Sequence, residues 1–179
     1  GPDDAKEAVI LNRIIRWTES GIEYESYPRQ AEKLVAQCGM TDTNTVATPG
    51  LRLSYDQLEK DEVLPAHLHT AFRRSAARAN CLAADRLDCQ FAAKEVYRWM
   101  SKPTEAAWQA LKRRCRYLVG LARMISHYRW QTVDHVDVYT DTDWAGCPRT
   151  RKSTSGGCAI LGAHPIKTWS STQSSVALS

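Results

Sequence analysis

The strongest constraint on what this chain can fold into is a change of period near residue 134. Between His69 and Leu118, apolar residues recur every three or four positions. Phe72, Ala76, Ala79 and Leu82 form one stripe, Ala92, Val96 and Trp99 a second, and Trp108, Leu111, Cys115 and Leu118 a third. That spacing puts each set on one face of a helix, so three amphipathic helices are predicted. The first runs from His69 to about Ala84, the second is capped by Asp88, and the third is capped by Thr104 and ended by Gly120. Trp99 and Trp108 are expected as core anchors. Beyond residue 134 the helical spacing stops. Val136, Val138 and Tyr139 lead an extended segment, residues 156–162 a second and Ile166 to Trp169 a third, and residues 170–175 read as a turn entering a helix at Val176. Helices followed by a run of strands define an α+β chain.

The N-terminal part adds a further β element. The β-branched run from Ala8 to Trp17, the turn Thr18-Glu19-Ser20-Gly21 and the alternating Ile22-Glu23-Tyr24-Glu25 predict a β-hairpin. Pro28 opens a helical pattern through Ala31, Leu34 and Val35 that stops at Gly39. Residues 41–66, rich in Thr, Asn, Asp, Pro and Gly, read as a long loop.

At 179 residues the chain has room for one ordinary domain or two small ones, and 43% apolar with 25% charged residues is the balance of a globular protein. No stretch is long and apolar enough to span a membrane, and no signal segment opens the chain. It begins at Gly1-Pro2 without a Met and reads as a segment of a longer product. The six cysteines, at 38, 81, 89, 115, 147 and 158, contain no Cys-x-x-Cys pair, and reduced, mostly buried thiols in an intracellular protein are expected. His67 and His69 lack the accompanying thiolates of a zinc site. Charge is unevenly distributed. Residues 1–69 carry 7 Lys/Arg against 12 Asp/Glu, residues 70–133 carry 13 against 4, and residues 134–179 carry 4 of each. Such a basic middle third is read either as a nucleic-acid surface or as a solvated, Arg-rich helix face.

The sharpest candidate for chemistry is Tyr139-Thr140-Asp141-Thr142-Asp143-Trp144-Ala145-Gly146. On an extended backbone Asp141 and Asp143 face the same side. Two such carboxylates repel unless a cation lies between them, and hard oxygen ligands suit Mg²⁺. The other reading of the same residues is an acidic pair capping exposed amides where a strand enters a turn.

The run from Tyr139 to Gly146, followed by Arg151-Lys152-Ser153-Thr154-Ser155-Gly156-Gly157, Trp169-Ser170-Ser171 and Ser175-Val176-Ala177-Leu178-Ser179, resembles the opening of the ribonuclease H of copia-type retrotransposon Pol polyproteins. Upstream, Arg78-Ala79-Asn80 to Arg86, Phe91-Ala92, Met100-Ser101-Lys102-Pro103-Thr104 and Arg116-Tyr117-Leu118 resemble the helical thumb and connecting region of the same polyproteins, and residues 9–39 the strand pair and first thumb helix after the polymerase palm. The resemblance implies two parts. Residues 1–133 would be the end of a reverse transcriptase, with palm hairpin and thumb-like helices. Residues 134–179 would be the truncated start of a ribonuclease H-like mixed sheet.

In that family two Mg²⁺ ions, held by several carboxylates, activate water against the RNA strand of an RNA–DNA hybrid. Carried over, Asp141 matches the first catalytic, metal-binding carboxylate, and Asp143 stands at a second Asp. The family's later Glu-Ala-Glu does not occur here, no Glu follows Glu105, and no Tyr-x-Asp-Asp palm motif is present. Leu11-Asn12 stands in place of the usual Leu-Gly, Leu87 in place of Pro and Val119 in place of Lys. The expectation is a fragment inactive by itself, partnered by nucleic acid and by the rest of the Pol polyprotein, in a cytoplasmic particle or the nucleus. Arg113, Arg114 and Arg116, with Arg151, Lys152, Ser153 and Thr154, are the residues expected to hold a nucleic-acid backbone. A non-catalytic nucleic-acid-binding module, or a retroelement relic without function, are the rival readings.

Overall fold

Leu11 and Asn12 divide the first β-branched run in two. Both take positive φ (50° and 61°), which makes a two-residue turn between β1 (Glu7–Ile10) and β2 (Arg13–Thr18), with Ile10 opposite Arg13. A loop with two positive φ values matches the right-handed twist of its flanking strands, so what reads as one strand is an antiparallel pair. The second turn, Glu19-Ser20, leads into β3 (Gly21–Ser26), and β4 (Ile125–Arg129) pairs with the far edge of β3. Gly21 is required there, because a Cβ would lie 2.1 Å from the Tyr128 carbonyl oxygen. The result is a four-stranded antiparallel sheet in the order β1-β2-β3-β4. The computed structural model describes residues 4–26, 28–51, 53–147 and 150–176.

Between β3 and β4 lies the helical unit: α1 (Arg29–Gln37), α2 (Tyr55–Glu59), α3 (His69–Ala83), α4 (Gln90–Tyr97) and α5 (Glu105–Gly120). The predicted stripes of α3 and α5 are its core. Phe72, Ala76, Ala79 and Leu82 are buried against Trp108, Leu111, Cys115 and Leu118, with Leu34 and Val35 of α1 and Val96 of α4 completing the cluster. Phe72 and Trp108 meet edge to face at 6.2 Å between ring centroids. Each fully buried Leu or Phe contributes about 1.5–3 kcal/mol of transfer free energy. Thr104 caps α5 as expected, its Oγ1 accepting from the Ala107 amide.

Two expectations about the helical region are corrected. Asp88 does not cap α4. It lies in a 3₁₀ turn (Leu87–Cys89), and its carboxylate instead accepts from Arg86 and from the Tyr117 hydroxyl. A charge-assisted bidentate pair outweighs a single amide bond at a helix end. Residues 41–66 are not a featureless loop, because Ser54 and Gln57 form a reciprocal capping box that starts α2. Further on, Leu64 hydrogen-bonds Pro103, Glu105 hydrogen-bonds Glu62, and the Asp61 carboxylate accepts from the Ala106 amide. This segment is thereby pinned to the first turn of α5.

A second sheet follows, β5 (Val136–Thr142), β6 (Lys152–Leu161) and β7 (His164–Val176), in the order β5-β6-β7. Among the described residues it is antiparallel throughout rather than mixed, because residues 143–151 and 162–163 are connections too short for the crossover that a parallel pair needs. Residues 170–175 continue β7 instead of turning. Ser170, Ser171 and Thr172 pair with β6, Thr172 opposite Thr154, and Val176 pairs with Lys152 beyond a register shift. Val176 is the last strand residue, and the predicted helix beyond it lies outside the described residues. The sheet rests on α4 through polar contacts, with Thr168 Oγ1 donating to Gln90 at 2.8 Å and Lys94 Nζ donating to Thr154 Oγ1 at 2.8 Å. The Tyr128 hydroxyl donates to the Pro165 carbonyl, and Gln131 bonds both Leu161 and Ala163, so the end of β4 braces the β6–β7 turn. Between the two sheets lies a cleft of about 380 Å³ lined by Tyr24, Asp85, Gln90, Ser126, Tyr128 and Lys167, among others.

Candidate functional site

Asp141 sits in β5 opposite Gly156, which offers no side chain to cover it. It is exposed, and among the described residues its carboxylate accepts no hydrogen bond. Asp143 behaves differently. Lying just past the end of β5, it takes the Thr154 amide on Oδ1 at 2.6 Å while its own amide donates to the Thr154 carbonyl. Its carboxylate packs so closely on Gly146 that a Cβ there would stand 2.0 Å from Oδ2. Of the two readings of this acidic pair, amide capping describes Asp143, and Asp141 is the carboxylate left presented. No three His, Cys, Asp or Glu side chains gather into a metal-binding cluster among the described residues. One presented carboxylate and one committed one do not fit a two-ion centre.

The expected nucleic-acid contacts fall into separate classes. Arg114 is fully buried in α5, so it faces no phosphate. The stripe of Leu111, Cys115 and Leu118 is broad enough to carry Arg114 inward with it, an outcome that Arg composition alone argues against. Ser153 is also buried, its hydroxyl accepting from the Ala145 amide at 3.0 Å, so it steadies the β5–β6 turn rather than offering a hydrogen bond outward. The Thr154 hydroxyl is taken by Lys94. Arg151, at φ 52°, and Lys152 lie at the entrance to β6, where the Arg151 amide donates to the Cys147 carbonyl.

Arg113 and Arg116 remain at the surface of α5 but are tethered. Arg113 donates to the Gly50 carbonyl at 2.8 Å and to Thr48 Oγ1 at 2.9 Å, and Arg116 donates to the Asn44 carbonyl at 2.7 Å. These partners are neutral, so the hydrogen bonds to them bring no carboxylate to either guanidinium. By contrast, Arg13, Arg16, Arg86, Arg98 and Arg123 all meet carboxylates. The buried Glu25 is held below its ordinary value by hydrogen bonds, first from Arg123 and then from Arg16, against its burial. Desolvation works against the charged Asp88, yet the bonds from Arg86 and Tyr117 still leave it below its ordinary value. Tyr24, half-buried and donating to Asp85, is pushed up to about 12. Of the basic residues between 70 and 133, Arg86, Lys94, Arg98 and Arg123 are thus paired with carboxylates and Arg114 is buried, a division that a count of Lys and Arg does not reveal. The one sequence signal for it is the closeness of Arg86 to Asp88 at i, i+2.

Comparison with known proteins places this architecture. The chain is 33% identical over 146 residues to the retrovirus-related Pol polyprotein from transposon RE2 of Arabidopsis thaliana, across 82% of this chain and 10% of that one. It is 36% identical over 102 residues to the corresponding polyprotein from transposon RE1, across 57% and 7%. The chain belongs to the retrotransposon Pol polyprotein family. This Pol segment is also 31% identical over 161 residues to an uncharacterized mitochondrial protein of Arabidopsis thaliana, across 90% of its own length and 65% of that protein. It thus spans about two thirds of that relative and a tenth or less of the polyproteins. No protein-family model and no solved structure matches it. No helix among the described residues is long and apolar enough to cross a membrane.

Proposed function

We propose that this Pol segment joins the end of a reverse transcriptase to the first strands of a ribonuclease H, and that it holds an RNA–DNA hybrid without cutting it. The observation that carries the reading is Asp141, an exposed carboxylate on the leading strand of an antiparallel meander, facing a glycine and uncommitted among the described residues. In an RNA-directed DNA polymerase with ribonuclease H, Mg²⁺ bound at such a carboxylate would supply charge stabilisation and an activated water at the scissile phosphate. The donor set described above is too small for that, so the remaining carboxylates would come from the rest of the Pol polyprotein. Arg113 and Arg116, charged and presented from α5, support contact with the phosphate backbone of the hybrid, as do Arg151 and Lys152 at the mouth of β6.

The test is cleavage of a labelled RNA–DNA hybrid with Mg²⁺ by three proteins: this chain, its Asp141→Asn form, and a form extended through the Glu-Ala-Glu expected from the family. Cleavage by the extended form alone, abolished by Asp141→Asn within it, is the expected result. Equal cleavage by the Asn form would remove Asp141 from the reaction. Salt-dependent hybrid binding with no cleavage by any form would favour a non-catalytic binding module, the reading that the two charged arginines of α5 support independently of Asp141.

A further inference from the structure

Among the described residues no strand pairs with the outer edge of β5, and Val136, Val138 and Tyr139 stand more than half exposed along it. Which backbone groups face out follows from the ladder. Asp143 donates its amide to the Thr154 carbonyl, and in the same register Asp141 lies opposite Gly156, Tyr139 opposite Cys158 and Asp137 opposite Ile160. In an antiparallel ladder every second residue bonds its neighbour, so these four face β6. Val136, Val138, Thr140 and Thr142 therefore turn their N–H and C=O groups outward. The strand that carries this row of unmet donors and acceptors has no Lys, no Pro and no break in its register with β6. Those are the devices that blunt an edge in natural sheets. The far edge of the same sheet differs, because the Tyr128 hydroxyl takes the Pro165 carbonyl of β7 and Thr168 bonds Gln90 of α4.

We propose that β5 is a self-recognition edge, pairing antiparallel with β5 of a second copy about a two-fold axis at Val138, so that two three-stranded sheets become one. A second copy is the occupant because the strand complements itself in one register. Outward groups must meet outward groups, so even-numbered residues pair with even-numbered ones and the axis falls on a residue, not between two. Like charges directly opposite one another destabilise such a pair. An axis at Asp137 sets that carboxylate against its own copy, one at Tyr139 sets Asp137 against Asp141, and one at Thr140 sets Asp137 against Asp143. An axis at Val138 opposes no two carboxylates. Val138 then meets the partner's Val138, Val136 the partner's Thr140, and Tyr139 the partner's Asp137. His135, just before the strand, meets the partner's Asp141, which brings an imidazole to the carboxylate that β5 leaves presented. The acids of β5 thus act as a register filter, closing the slipped pairings and leaving one. Because the same edge is used on both chains, the assembly closes at two.

Sedimentation of the whole chain over a range of concentrations is expected to show a monomer–dimer equilibrium that stops at two chains. Dithiothreitol is present throughout, so that the exposed Cys81 forms no cross-link. Val138→Pro deletes an outward N–H that β6 does not use, and is expected to leave a monomer with an unchanged circular dichroism spectrum. Tyr139 reports the register by sign. Opposite the partner's Asp137, Tyr139→Lys is expected to tighten the dimer several-fold and Tyr139→Asp to loosen it several-fold. About an axis at Tyr139 both changes would loosen it. A chain that stays monomeric at every concentration would overturn the proposal. So would association that Val138→Pro leaves intact, growth past two chains, or a dimer that Tyr139→Lys weakens. Where the Pro form folds poorly, the opposite signs of the two Tyr139 forms decide the matter.

Discussion

Between α1 and α5 the apolar side chains point at one another. Leu34, Phe72, Leu111, Cys115 and Leu118 have 1% exposure or less. In the second sheet, Val136, Val138 and Tyr139 are more than half exposed, and Ser153 is the buried residue among those described from 134 to 176. The helical unit carries its own core, whereas β5–β7 is held by backbone pairing and by polar contacts from α4, Tyr128 and Gln131. Hydrogen bonds exchanged with water contribute about 1 kcal/mol each, and an uncovered sheet gains little from burial. Secondary structure of the same regularity can thus rest on very different amounts of packing. Stability is expected to reside in the helices, and any role for the sheet in what it presents.

The sharpest way to break that contrast is to damage the core. Phe72→Ala should cost about 3–5 kcal/mol in urea unfolding. A loss below 1 kcal/mol would mean that the helical unit is not the stabilising part. Two buried arginines test it electrostatically. Arg86→Met leaves the Asp88 carboxylate without its guanidinium and should cost about 3–5 kcal/mol, whereas Arg114→Met removes an unpartnered charge and should be neutral or stabilising by roughly 1–4 kcal/mol. Equal losses at both sites would show that Arg114 has an anionic partner in solution.

Acid should act first on the part of the chain outside β5–β7. Asp88 and Glu25 both titrate below their ordinary values of 3.8 and 4.5 in the folded chain. Their contribution is therefore complete above those values and is lost as pH falls through the lower, folded ones. Far-UV circular dichroism should follow helix loss in that window, and Asp88→Asn should flatten the pH dependence of stability there. At the first turn, Leu11→Asn with Asn12→Gly relieves two positive φ values and should add roughly 1 kcal/mol, read as a shift in the urea midpoint. Smallest of all, Val138→Ser in β5 should change stability by no more than about 0.5 kcal/mol. A loss several times larger would mean that something covers this face in solution.

By itself the sequence determined the helical stripes, the Thr104 cap, the α+β order and the distinctive block from Tyr139 to Gly146. Each of these is written in local spacing, which a helix or strand converts directly into a face. The capping box of Ser54 and Gln57 was equally legible and is overlooked when residues 41–66 are read only for missing apolar period. Tertiary structure decided the rest. It split the run from Ala8 to Trp17 at a turn carrying no glycine, continued β7 through a Ser-rich stretch, and gave Asp88 to Arg86 instead of to a helix end. It also sent Arg114 inward, committed Asp143 to the Thr154 amide and left Asp141 presented. The physical reason is the same in each case: which partner a polar or charged group finds depends on groups remote in the chain, and the gain from pairing it outweighs the weak local preference that sequence reading measures.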